Sequence, residues 1–279
     1  MHPSVKSLLW AAAACFLAFA VVLACAYGIA PVEQLDARAL HWMRAFDGGP
    51  PSSPIILKIT HSADPRPLLL ALAVLFAWGW ALGRRWEAIG AIALVAGANL
   101  TALILQVALA HPRYHFVLGA NQVGAEAFPS GHATGAASIA LAAVLVAPPR
   151  LRIPVAVGAG AYVIAVSASL MMLGWHFGSD VLGGVLVSCG FFFLAVAAIR
   201  VGTAAPAGIA ANRATLGLWL GLGGASVAAL ATAGLIARDE LLEFARLHTG
   251  ATAAALAIMA ISAALVASTT LKSDLNSDR

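Results

Sequence analysis

His176 and Asp180 stand four residues apart in SLMMLGWHFGSD, residues 169–180. On a helix that spacing puts the carboxylate one turn from the imidazole, where it can accept Nδ1–H and leave Nε2 free as a nucleophile. A second constellation, Pro129-Ser130-Gly131-His132, heads an apolar run. There the proline and serine suit a helix start, the glycine lets backbone approach a ligand, and the first-turn N–H groups attract an anion. His132 in that first turn is placed to pass a proton to an oxygen of a bound group. A third stretch, QVALAHPRY at 106–114, offers Arg113, whose guanidinium can hold two phosphate oxygens at once. Each also has a structural reading: a helix-surface ion pair, a capping serine beside an interfacial histidine, and an interfacial arginine.

The elements that would position these groups are membrane helices. The 279 residues are 61% hydrophobic and 10% charged, against about a quarter charged for a soluble domain. Apolar runs long enough to cross about 30 Å of hydrocarbon fall at 8–30, 66–82, 88–110, 131–147, 153–173, 181–201, 214–237 and 251–271. The fold class expected is therefore all-α, a polytopic helical bundle. Short Arg-bearing turns (GRRWE at 83–87, APPRLR at 147–152, PAGIAANR at 206–213) punctuate it.

With both termini inside, the inner segments carry nine of the sixteen cations, and the outer segments nine of the twelve acids. The net charge of +4 then divides into about +6 inside and −2 outside, a topology signal and not a nucleic-acid surface. All three chemical stretches fall on the outer side, where ionisable groups at depth usually face a cavity. The stretch at 31–46, with Val32, Leu35, Ala39, Trp42 and Phe46 near helical spacing, reads equally as a surface-lying helix or as a connecting loop. Cys15, Cys25 and Cys189 sit in apolar runs and read as small packing residues; VLAC at 22–25 lies in a run too long for a signal-peptide core.

At these residues the sequence resembles the type 2 phosphatidic acid phosphatase superfamily, whose motifs can be written K-x6-R-P, P-S-G-H and S-R-x5-H-x3-D. The second is intact at 129–132, and the third runs from Ser169 through His176 to Asp180 with Leu170 at its Arg position. In the first, Arg113 is kept, while Gln106 stands for Lys and Tyr114 for Pro. The resemblance implies a six-span catalytic core over 1–201; the last two apolar runs lie beyond it and are expected as two further spans, with a cytoplasmic tail, in 202–279. It implies His176 as phosphorus nucleophile, Asp180 as its orienting partner and His132 as proton donor. Arg113, Ser130 and the Gly131 amide would hold phosphoryl oxygens, with Gln106 and Ser169 as further substrate contacts, and no metal or cofactor.

The expected activity is hydrolysis of a lipid or polyprenyl phosphate or diphosphate through a phosphohistidine. The substrate side would face the periplasm or exterior of a cytoplasmic membrane, with no nucleic-acid partner. Two other readings stand beside it: transfer of a phosphoryl or phosphate-linked head group to a lipid or glycan acceptor, and a non-catalytic phospholipid-binding membrane protein. The replacement of two cations by Gln106 and Leu170 favours these alternatives, because electrostatic stabilisation is usually the largest catalytic term. His111 and His115 flank Arg113 and could supply charge when protonated.

Overall fold

The computed structural model describes residues 4–45, 54–110 and 123–203. These form eight α-helices: α1 (Val5–Gly28), α2 (Ala30–Ala45), α3 (Pro54–His61), α4 (Pro65–Ala81), α5 (Arg85–Ala108), α6 (Gly131–Val146), α7 (Arg152–Met172) and α8 (Gly178–Thr203), with a 3-10 turn at Pro149–Leu151. Among the described residues there is no strand. Up to Ala197 these helices lie in one compact unit.

Helices occupy six of the eight expected runs, as α1, α4, α5, α6, α7 and α8, with ends within three residues of those read from the sequence. Four segments are both long and apolar enough to cross a membrane: Val5–Gly28, Arg85–Ala108, Pro149–Met172 and Gly178–Thr203; Pro65–Ala81 and Gly131–Val146 are shorter apolar helices. The multi-pass membrane architecture stands. The runs at 214–237 and 251–271 lie outside the described residues.

Composition decides which helix is central. The α6 sequence GHATGAASIALAAVLV has small residues on every side, so neighbours approach closely all round it, and α4, α5 and α7 all pack on it. Ala133, Ala136, Ala137 and Ala142 are buried, as are its polar residues Thr134 and Ser138. By contrast α7 keeps Ile153, Val157 and Ile164 exposed, and α1 keeps Trp10, Leu17 and Val21 exposed, as lipid-facing surfaces do.

With little hydrophobic drive between helices in a bilayer, close contact and buried hydrogen bonds fix their positions. Asn99 Nδ2 on α5 donates to Ser138 Oγ on α6 at 3.0 Å. Ser188 Oγ on α8 lies 3.1 Å from the Thr134 carbonyl. At the crossing of α8 with α6, Gly184 leaves no room for a side chain: a Cβ there would meet the Ser130 carbonyl oxygen at 2.7 Å and the Thr134 nitrogen at 2.9 Å.

The segment from 31 to 46, left open as helix or loop, is helical through Ala45. Val32, Leu35 and Trp42 remain exposed, while Ala37 and Leu40 are fully buried with Phe177, Val123 and Ala127. The helix therefore docks by the other face, onto the loops around the candidate site. Replacing Gly184 with Ala should lower stability by about 1–3 kcal/mol, because the colliding atoms are backbone and cannot swing away. Thermal unfolding of purified Gly184→Ala in detergent measures this; a midpoint equal to wild type would contradict the close crossing.

Candidate functional site

The site is assembled from helix ends. α7 stops in a Schellman motif: Gly174 adopts φ +71°, its N–H bonds the Met171 carbonyl at 3.0 Å, and the Trp175 N–H bonds the Leu170 carbonyl at 3.0 Å. The reversal carries Trp175 and His176 back toward the bundle. Two residues later α8 begins, and Asp180, in its first turn, reaches back to accept the Phe177 N–H at 2.9 Å, half of a capping box. His176 is thus held on a short turn between two well-terminated helices.

The expected hydrogen bond from His176 to Asp180 is looser than the spacing predicts. His176 Nδ1 lies 3.6 Å from Asp180 Oδ2, an ion-pair distance too long for a hydrogen bond. The reason is that this same oxygen is drawn to the Phe177 N–H. His176 Nδ1 is buried and has no acceptor among the described residues. A catalytic pair can be long in a ligand-free state and tighten around substrate.

Ser130 caps α6, its Oγ accepting the Ala133 N–H at 3.3 Å, and its own N–H donates to the Asp180 carbonyl at 2.9 Å. That second bond ties the start of α6 to the start of α8. The Thr134 N–H bonds the Ser130 carbonyl, so the N–H groups of Gly131 and His132 are the first-turn donors with no acceptor within the helix. The His132 and His176 ring centroids lie 6.5 Å apart, with the ring planes tilted by 58°. Trp175 lies beside His132 at 5.8 Å.

Gln106 and Ser169 work through protein groups. Gln106 Nε2 donates to the Pro129 carbonyl at 3.0 Å and borders Gly131, bracing the loop that presents His132. Ser169 is buried; its hydroxyl donates to the Val166 carbonyl at 2.8 Å and accepts from Thr60 Oγ1 at 2.7 Å, locking α7 to α3. Leu170 is fully buried in an apolar cluster with Ala133 and Val166. Arg113, with His111, Tyr114 and His115, lies outside the described residues.

Three acidic or basic groups join the site from elements to which sequence reasoning assigned no chemistry. Asp64, just before α4, places Oδ1 3.0 Å from His132 Nε2 and Oδ2 3.0 Å from His61 Nδ1. Asp36 on α2 accepts the Ser179 N–H and hydroxyl at the positive end of α8. Arg44, also on α2, crosses the turn before His176 so closely that a Cβ on Gly174 would lie 2.8 Å from its Cδ. These partners are 68 to 143 residues away in sequence, so no local spacing signals them. Among the described residues, no group of three or more His, Cys, Asp and Glu is arranged to hold a metal ion.

Residues 85–203 match the sequence model of the PAP2 superfamily, which bears out the resemblance read from the motifs. No curated protein sequence matches the chain. Its fold is similar to the crystal structure of the first transmembrane PAP2-type phosphatidylglycerolphosphate phosphatase from Bacillus subtilis, with TM-score 0.56 and 23% identity over 67% of this chain and 94% of that one. The contacts of Ser169 yield a direct test. Ser169→Ala should cost about 1 kcal/mol of stability, the worth of a buried hydrogen bond, and leave the KM for a phosphate substrate unchanged. A raised KM at unaltered thermal midpoint would instead make Ser169 the substrate contact expected from the sequence.

Proposed function

We propose that this chain is an integral-membrane phosphatase that hydrolyses a lipid or polyprenyl phosphate or diphosphate through a phosphohistidine on His176. The observation that carries the reading is the apposition of two imidazoles, His132 and His176, across 6.5 Å, one beside a buried carboxylate and the other in the first turn of a helix. Two bases so placed serve as nucleophile and acid for one phosphorus. The PAP2 match over 85–203 and the shared fold with a PAP2-type phosphatase support it.

In this reading His176 Nε2 attacks phosphorus as the bond to the leaving oxygen breaks, and His132 supplies that oxygen with a proton. Asp180 steadies the positive charge that develops on His176. Water, losing its proton to His132, then attacks phosphorus, breaks the P–N bond and releases phosphate. The N–H groups of Gly131 and His132, the Ser130 hydroxyl and the Arg113 guanidinium stabilise the equatorial oxygens. Arg44 adds positive charge beside the nucleophile's turn. In this reading residues 1–201 are the catalytic core, and the site opens to the outer face of a cytoplasmic membrane.

A transferase is the second reading. It is favoured by the amide of Gln106 and the apolar Leu170 at two positions where the family carries cations, because a site with less positive charge stabilises developing phosphoryl charge less. Both readings use the same histidine, so the acceptor decides between them.

Purified protein should release inorganic phosphate from one or more of phosphatidic acid, phosphatidylglycerol phosphate, and undecaprenyl mono- and diphosphate. His176→Ala should reduce release by at least about 1000-fold. Acid-labile, alkali-stable radiolabel on wild type but not on the variant would identify the phosphohistidine. Turnover that requires an added acceptor lipid would select the transferase; undiminished release by the variant would exclude His176 as nucleophile.

A further inference from the structure

Asp64 occupies the N-cap of α4, where an aspartate normally accepts the N–H of the second or third helical residue. Here its side chain makes no capping hydrogen bond. In Asp64-Pro65-Arg66-Pro67 the prolines remove the N–H groups of the first and third helical positions, so of the two that an N-cap can take only that of Arg66 remains. The carboxylate is instead spread between two imidazoles, Oδ1 on His132 Nε2 and Oδ2 on His61 Nδ1, each at 3.0 Å.

The segment that carries it is fixed on both sides. Ala63 is buried in one cluster with Ala133 and Ala136 of α6, and Ser62 Oγ donates to the Tyr162 hydroxyl of α7 at 3.2 Å. Gly135 admits this approach, since a Cβ there would already touch the Ala63 carbonyl at 3.4 Å. The carboxylate therefore meets His132 from a braced turn.

We propose that Asp64 is a positioning residue for His132: it fixes the tautomer of the imidazole so that the transferable proton resides on Nδ1. This rests on the phosphatase reading for its catalytic meaning. A carboxylate at Nε2 accepts a hydrogen bond only from Nε2–H. The neutral ring is thus the Nε2–H tautomer, and the additional proton of the imidazolium sits on Nδ1. When the P–O bond breaks, its electron pair stays on the leaving oxygen, the Nδ1 proton moves to that oxygen, and Nε2–H remains on Asp64. In the second step Nδ1 takes a proton from the attacking water as the P–N bond to His176 breaks. Without the carboxylate the ring can flip or exchange tautomers, which disables a base or acid while leaving its neighbours intact. The groups around His132 are Asp64 and His61 from the α3–α4 turn and Trp175 and His176 from the α7–α8 turn.

The test uses leaving-group chemistry in the full-length protein. An alkyl or lipid phosphate expels a poor leaving group and needs the acid, whereas p-nitrophenyl phosphate expels a good one and does not. Asp64→Asn should lower kcat/KM for the lipid phosphate by about 10- to 100-fold and for the aryl phosphate by no more than about threefold. His132→Ala should show the same asymmetry more strongly, and Asp64→Glu should recover part of the loss. Equal losses on both substrates, or none on the lipid phosphate, would overturn the proposal.

A second readout is independent of turnover. In 15N-histidine-labelled protein, neutral His132 should be the Nε2–H tautomer, and Asp64→Asn should produce a mixture. A wild-type Nδ1–H tautomer would overturn the positioning role. Wild-type protein inactive on every phosphate, yet with the Nε2–H tautomer held by Asp64, would overturn the phosphatase reading alone.

Discussion

The hydrogen bond from the Ser130 N–H to the Asp180 carbonyl, 2.9 Å long, joins the first turns of α6 and α8. Around it the two chains approach until only glycine fits at 184. That crossing sets the separation of His132 and His176, because each histidine is within four residues of one of the bonded groups. A soluble enzyme could hold such a geometry by burying large side chains. In a lipid-facing bundle, the resources are small residues and satisfied polar groups, and ten of the sixteen residues of α6 are Gly, Ala, Ser or Thr.

Around this core, the outer elements act as supports. Ser169 and Thr60 lock α3 to α7, which holds the turn carrying Asp64 against α6. Leu40 and Ala37 seat α2 on Phe177, while Asp36 takes the Ser179 N–H at the start of α8. Each support contributes a polar group toward the site and an apolar group toward the core. This pairing accounts for an amphipathic α2 with two apolar faces, one covered by the protein and one exposed.

The span pattern was legible because hydrophobic length is a one-dimensional property of the chain, and the ends of α6 and α7 fall where Pro129, Ser130 and Gly174 mark them. His132, His176 and Asp180 were legible for a similar reason, since their spacing is local. What spacing could not show was competition for a shared atom. Asp180 is one turn from His176 as expected, yet its oxygen is nearer to a backbone N–H than to the ring. Ser169 carries the right residue type in the right motif, but the side of α7 it occupies meets α3. Asp64 was invisible because its importance comes from a partner 68 residues away, to which its carboxylate bonds instead of capping its own helix.

The double duty of Asp180 has a consequence for genetics. One fully buried carboxylate both caps the backbone at the start of α8 and stands beside His176. Any allele that removes it disturbs the start of α8 and the surroundings of His176 together, so a null phenotype at this codon carries no information about which mattered. Asp64, which caps nothing, offers the cleaner lesion: its alleles can separate a folded, membrane-inserted protein from a working one.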